Sequence, residues 1–323
     1  MTVATLNEGR AFDDSQETDH PCTDKERFTR LEDFVEFATA FLEFTASGLQ
    51  AVIVSRNEPQ YHFWQFKSDG SYNVSRPINS ALMFSASDAA SAFKQLIPLL
   101  PVIRETGKDS EANRQMLNRT IYTLQQCVGI ALDGLPAGKS NTARKINGDL
   151  FERLIRLILV RAQVPCTTGV VKVPVTVDGE VAFEMNYQHD LVIKQGELVK
   201  AIGSVKTSSK DRLDKVFMDK FLFNRLMSAD VPHVAIFLND VQRKNTANER
   251  EYGISATFLP GHFKAYTVKL NPLDGVYYFD IRPNMKTEPI LKDHIRTFDH
   301  FLFTDVWRFL EQEGVAAQLG GEG

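Results

Sequence analysis

The sequence predicts a mixed α/β protein: a central sheet flanked by helices, preceded by a smaller N-terminal α+β domain. Three observations lead there. From residue 143 onward, helical and strand periodicities alternate in the order helix, paired strands, helix, strand, which is the pattern of layered α/β folds. Two hairpin turn signals, Asp178-Gly179 and Gln195-Gly196, separate β-branched runs. A Gly-, Pro- and Ser-rich stretch, Asp133-Gly-Leu-Pro-Ala-Gly-Lys-Ser-Asn-Thr, divides two strongly periodic regions.

The 323 residues suit two domains. We read residues 1–24 as a flexible arm, 25–135 as an N-terminal domain for DNA binding or dimerisation, and 143–323 as the domain carrying the chemistry. The arm is polar and without periodicity. From Asp24, apolar residues recur at helical spacing through Phe28, Leu31, Phe34, Phe37, Phe41 and Phe44. Leu49–Ser55 and Tyr61–Phe66 read as paired strands. Ser85-Ala-Ser-Asp88 begins a helix with a serine or aspartate cap, running towards Pro101, and residues 110–132 form another. Gly138-Lys139-Ser140 lacks the upstream glycine spacing and the preceding strand of a phosphate loop, so it is read as linker.

In the second domain, Ala143–Gln163 is a helix and Val170–Val177 a strand turning at Asp178-Gly179 into Val181–Met185. Two further strands follow, His189–Ile193 and Val199–Lys206. Lys210–Ala229 is helical by spacing and Val231–Leu238 is a buried strand. Phe263–Leu270 and Gly275–Ile281 read as a hairpin, and Ile295–Gln312 as a terminal helix.

Hydrophobic content of 43% and charged content of 24% describe an ordinary globular chain. No apolar run has the length of a membrane span, and the N-terminus lacks a secretory pattern. Three scattered cysteines, Cys22, Cys127 and Cys166, argue against a disulfide framework or zinc site and suit a cytoplasmic protein without membrane partners. The net charge of −4 weighs against nucleic acid binding. Locally the balance reverses, because basic residues outnumber acidic ones between Lys194 and Arg225.

The chemistry concentrates between Phe183 and Asp219. Asp190 opens an apolar strand, and the next strand ends in Ser204-Val205-Lys206. Residues two apart on a strand share a face, so Ser204 and Lys206 leave the same side. A hairpin that pairs these strands places a carboxylate beside an ammonium, a combination able to hold Mg²⁺ and a water at a phosphodiester. Lys206 would orient the attacking water and stabilise charge on the phosphate. Asp190 also fits a turn-capping aspartate, and Lys206 a solvated strand end.

Other acids are candidates of a second rank. Asp219, on the following helix, can project back across the sheet edge, or it is a surface acid between Lys215 and Lys220. Glu152 on the earlier helix fits a metal ligand or a surface partner of Arg156 at i+4. Glu184 fits the cleft or a cross-strand pair with a lysine, so whether it or Asp219 completes a metal site stays open. His189 is expected to pack, while His233 and His262 show no metal-ligand spacing.

The stretch Asp190…Ser204-Val-Lys206-Thr-Ser-Ser-Lys210-Asp211-Arg212…Asp219 resembles type II restriction endonucleases of the PD-(D/E)xK nuclease superfamily. It is most similar to the branch that cuts CCGG or CCNGG sequences, over about residues 145–285. That resemblance implies a restriction-endonuclease-like core and Mg²⁺-dependent, sequence-specific cleavage of double-stranded DNA by a homodimer. It implies Asp190 as the metal aspartate and Lys206 as the catalytic lysine. Ser204 stands where a strand acid usually sits, Asp219 replaces that acid from the helix, and Glu152 is the helix glutamate. Lys210, Asp211 and Arg212, with Ser208 and Ser209 beside them, would contact DNA. Arginine can donate to guanine O6 and N7, and aspartate can accept from cytosine N4.

This chain departs from the family pattern at several points. His189 stands where proline precedes the aspartate, Lys210 replaces an arginine, and Asp219 replaces a glutamate. Asp211-Arg212 and Asp219 each lie one residue early, as a single deletion would produce. The resemblance leaves room for another nuclease of the superfamily, for repair or junctions, or for a DNA-binding protein that keeps the fold without catalysis.

Overall fold

A computed structural model describes residues 22–68, 71–106, 110–248, 251–316 and 318–320. The expected arm at residues 1–24 falls largely outside the described residues. The chain divides into two compact units that interleave along the sequence. One holds residues 1–98, 115–154 and 241–256, and the other holds 99–114, 155–240 and 257–323.

The first unit begins with α1 (Leu31–Gly48). Its start is set by Asp33, whose carboxylate turns back to accept from the backbone N–H groups of Thr29 at 3.0 Å and Arg30 at 2.7 Å. Leu31, Phe34, Phe37, Ala38, Phe41 and Leu42 fill its buried face. Burying each phenylalanine fully is worth roughly 1.5–3 kcal/mol. The helix is followed by β1 (Leu49–Val54) and β2 (Tyr61–Ser68), which pair antiparallel, with β3 (Ser71–Val74) and β4 (Ile78–Asn79) both pairing with β2. Next in the chain come α2 (Ala86–Leu99), α3 (Glu111–Asp133) and α4 (Ser140–Arg161), of which residues 111–114 of α3 and 155–161 of α4 belong to the second unit. Ser85 caps α2 by accepting from the Asp88 N–H at 3.3 Å and donating to its carboxylate at 2.8 Å. Asp133, at the edge of the Gly- and Pro-rich turn, is held by the Arg76 backbone N–H, Nε and Nη2 at 2.7, 2.9 and 2.8 Å.

A hairpin that the sequence did not announce completes this unit. It consists of β9 (Val241–Asn245) and β10 (Tyr252–Ala256), a separate two-stranded sheet more than 150 residues after the one it packs against. Val241 and Ile254 bury with Tyr61 and Phe63. Asn57 fastens β10 as a neighbouring strand would, donating to Ile254 O and accepting from Ile254 N, both at 2.9 Å.

The second unit is built on an eight-stranded mixed sheet. Its strands are β5 (Cys166–Val177), β6 (Glu180–Gln195), β7 (Leu198–Ser208), β8 (His233–Asn239), β11 (Gly275–Tyr278), β12 (Ile295–Thr297), β13 (Val315–Ala316) and β14 (Gln318–Gly320). The order is β12-β11-β8-β7-β6-β5-β14, with β13 against β7. β5, β6 and β7 pair antiparallel, while β7, β8, β11 and β12 run parallel. β5 and β6 join through Asp178-Gly179, both in the left-handed region at φ 53° and 87°, as a type I′ hairpin turn requires. Between β7 and β8 lies α5 (Leu213–Met227). Its Val216 and Phe217 pack with Ala235, Phe237 and Tyr278, and its Phe223 packs with Val192, Ile202 and Val231.

Four expectations are corrected here. Val181–Met185 and His189–Ile193 are parts of one sixteen-residue strand, β6. Phe263–Leu270 is not half of a hairpin but lies in α6 (Pro260–Lys269), and β11 pairs parallel with β8 instead. Aromatic and β-branched residues suggested a strand; Pro260 at the first turn, with Phe263 and Thr267 buried one turn apart, makes a helix. Ile295–Thr297 is an edge strand beside β11, and helical structure begins only at Phe298. The helix expected from Lys210 starts at Leu213, because Asp211 has a positive φ of 52°.

Candidate active site

The site lies where β6 and β7 part. They pair from Gln195↔Leu198 up to Leu191↔Gly203 and no further, whereas β7 continues beside β8 to Ser208↔Asn239. Close approach at the last rung needs Gly203. A Cβ there would stand 3.1 Å from Leu191 Cδ2 and 3.3 Å from Val234 Cγ2. Beyond it, among the described residues, β7 keeps β8 as its one paired strand, which leaves the β6-facing edge of Ser204, Val205 and Lys206 without a ladder partner. This is the C-terminal rim of the parallel strands, where open α/β sheets present their sites.

The parting has a local cause in β6. Thr167 pairs with Val192 and Gly169 with His189, so three steps on β6 match two on β5. Asp190 and Leu191 thus stand opposite Thr168 alone, a β-bulge of the kind that re-aims a side chain. His189 and Val192 both pack against Phe223 on one side of the sheet.

Asp190 turns to the freed edge of β7. Its Oδ2 accepts from the Val205 backbone N–H at 2.9 Å and pairs with Lys206 Nζ at 2.7 Å. Both bonds fall on one oxygen. The side chains are partly screened, 18% exposed for Asp190 and 31% for Lys206. The carboxylate and the ammonium named from the sequence therefore meet directly, and Ser204 lies beside them, partly exposed.

The remaining candidates are placed as follows. Asp219 lies on α5, paired with Lys215 one turn earlier. Burial pulls the His189 imidazole down to about 4 against the opposing fields of Asp219 and Asp190. Burial and then Asp219 push the Tyr187 hydroxyl up to about 12. Asp219 thus acts on the same stretch of β6 as Asp190. Glu152 lies on α4 in the first unit, while Asp190, Lys206 and Asp219 lie in the second. Glu184 faces Lys172 across the hairpin at 3.8 Å, both well exposed. Lys210, Asp211 and Arg212 are exposed in the turn between β7 and α5. Ser208 Oγ accepts from the Lys210 N–H at 3.2 Å, holding that turn. Ser209 is buried, its hydroxyl 3.3 Å from that of Thr257, so it is not presented to a macromolecule.

Among the described residues, no group of three or more His, Cys, Asp or Glu stands together as a metal site. The donor chemistry present still fits Mg²⁺, which commonly takes one or two carboxylates and completes its shell with water and phosphate oxygens. His189 and His233 are buried and held neutral, unsuited to a shared cage of that kind. What the sequence reading missed is the Val205 amide that orients Asp190. A main-chain donor leaves no mark in the residue pattern. Lys215, by contrast, stands at the readable i,i+4 spacing from Asp219.

No family model matches the chain, and no curated protein does. Solved structures do. The chain is similar to the crystal structure of the type IIP restriction endonuclease Kpn2I, with a TM-score of 0.65 and 20% identity over 88% of this chain and 99% of that one. A restriction endonuclease PspGI–substrate DNA complex matches at a TM-score of 0.39 and 12% identity, over 70% of this chain and 93% of that one. The fold of this chain is that of a restriction endonuclease.

Proposed function

We propose that this protein is a Mg²⁺-dependent type II restriction endonuclease that hydrolyses double-stranded DNA at a C·G-rich palindrome, as a homodimer. The observation that carries the reading is the 2.7 Å Asp190–Lys206 pair at the parting of β6 and β7, on a fold shared with Kpn2I. A packing role alone does not call for two opposite charges at the open end of a splayed strand pair.

Asp190, with Asp219 from α5, would hold the ion. Mg²⁺ when bound supplies a Lewis acid for the phosphoryl oxygens. Lys206 leaves Asp190 as the phosphate arrives, and its ammonium then orients the attacking water and balances charge growing on the phosphate. Being a compact point charge, it can turn from one oxygen to another without a fixed fork geometry. The Val205 amide keeps Asp190 aimed throughout. The exposed Lys210-Asp211-Arg212 turn follows β7 directly, so contacts to base edges there would be tied to the position of Lys206. A palindrome calls for a two-fold arrangement of the protein.

Digestion of phage DNA with Mg²⁺, followed by run-off sequencing of the ends, tests the proposal. Discrete fragments sharing one short palindrome at every end are expected. Structure-selective nicking would favour a repair or junction nuclease on this fold, and binding without cutting a non-catalytic protein.

A further inference from the structure

A polar cleft of about 240 Å³ opens at the edge of the large sheet, between β11, β12 and the helical segment 298–311. It is set apart from the candidate active site. Phe237 and Tyr278 pack with Val216 and Phe217 of α5, the helix that carries Asp219. Tyr277 and Arg296, partners in the β11–β12 register, point to the other side of the sheet, where Tyr277 meets Phe301. Gly275 is needed on that side, because a Cβ there would overlap the Tyr277 ring. The ring is fully buried, and its hydroxyl donates to Asp305 Oδ2 at 2.7 Å.

The charges lining the cleft do not cancel. Asp274 accepts from Lys220 Nζ and from the His233 N–H, both at 2.7 Å. Asp305 accepts from Tyr277 and from Arg308 Nη2 at 3.1 Å, with His300 Nε2 3.4 Å away. Asp293 is exposed to solvent. Arg308 is thus matched by Asp305. Arg296 bonds only main-chain oxygens, those of Lys292 and, at 3.0 Å, of Ile295, and both through Nη1. Among the described residues no carboxylate pairs with Arg296 or His294.

We propose that this cleft binds a phosphate group, as free phosphate or as a small phosphate monoester, with Arg296 as its main ligand and His294 and His300 beside it. A guanidinium offers paired N–H donors that match such an oxyanion. A divalent cation is the poorer occupant, since the carboxylates of Asp274 and Asp305 are already committed to protein donors, and no group of three or more described acids, histidines or cysteines could hold a metal. An apolar ligand would find walls of the wrong character, because the lining is charged. The inference goes beyond the nuclease reading and does not depend on it.

Calorimetric titration of inorganic phosphate, and separately of a nucleoside monophosphate, into the full chain in EDTA at constant ionic strength tests this. Saturable binding to one site in the millimolar range or tighter is expected. Arg296→Gln should weaken it by about tenfold or more, the worth of a hydrogen bond to a charged group, and Arg296→Lys by less, since the charge stays and the fork is lost. If Arg296→Gln does not fold, His294→Gln gives the same readout with a loss of several-fold. Tighter binding of the monophosphate would assign a phosphorylated small molecule, and equal binding free phosphate. A wild type silent to both ligands, or binding that neither substitution weakens, overturns the proposal. So does loss of duplex DNA affinity in Arg296→Gln beside a silent phosphate titration, which would make the cleft a contact to the DNA backbone.

Discussion

Replacing Asp190 with alanine or with asparagine separates what this side chain does for the fold from the catalytic role proposed for it. Its Oδ2 serves two donors, the Val205 N–H at 2.9 Å and Lys206 Nζ at 2.7 Å. Val205 is fully buried, so alanine strands its N–H at about 1–3 kcal/mol. The lysine is 31% exposed, so loss of the ion pair adds only about 0.5–1 kcal/mol after solvent screening. Alanine should therefore cost about 1.5–4 kcal/mol. Asparagine keeps an acceptor for Val205 and should cost about 1 kcal/mol. Urea unfolding followed by tryptophan fluorescence gives both values from the midpoints, provided the slopes stay equal. Neither variant should cleave DNA, because on the proposed mechanism a carboxylate at 190 is needed to hold Mg²⁺. Equal destabilisation by the two would refute the role of the Val205 bond, and wild-type cleavage by Asp190→Asn would refute the catalytic one.

Lys206→Ala should bind target DNA within a few-fold of wild type while losing cleavage, as gel shift in Ca²⁺ beside a plasmid assay would report. Arg212→Ala, at an exposed position before α5, should leave stability within about 0.5 kcal/mol. It should cost about 1–3 kcal/mol of specific binding and abolish sequence-specific cutting, which competition between target and random duplexes checks. His189 and His233 are held neutral, their imidazoles pulled from 6.5 to about 4 and about 3, chiefly by burial. The unfolded chain takes up those protons first, so their contribution is full above pH 6.5 and drains away towards pH 4 and below. Unfolding midpoints should fall over that window, and His233→Phe should remove about one proton from the slope.

Much of the second unit was legible because its signals are local. Asp178-Gly179 between β-branched runs fixes a hairpin, and the next hairpin brings Asp190 and Lys206 to the same edge whatever the rest of the chain does. The losses came where distant partners decide. Phe263–Leu270 carries strand-like residues but is helical because Phe263 and Thr267 need one buried side. Val241–Ala256 packs with Tyr61 and Phe63, a pairing no local pattern announces. In the candidate site, the acid and the lysine could be read, whereas the Val205 amide could not. The burial of Ser209 was equally hidden, since it depends on Thr257 reaching it from almost fifty residues away.

The extra residue in β6 at Asp190 also works as a phase shifter. On the turn side of it, Tyr187 and His189 are the side chains that meet Phe223; past it, Val192 takes over that duty. Odd numbers hand over to even ones at the aspartate. Removing one residue between His189 and Val192 would rotate the rest of the ladder by half a pleat, exchanging the buried Val192 and Ile193 between the two faces of the sheet and breaking the packing of both. Length changes of one residue should thus be strongly destabilising here, while the Asp178-Gly179 tip, paired with no further strand among the described residues, should accept them.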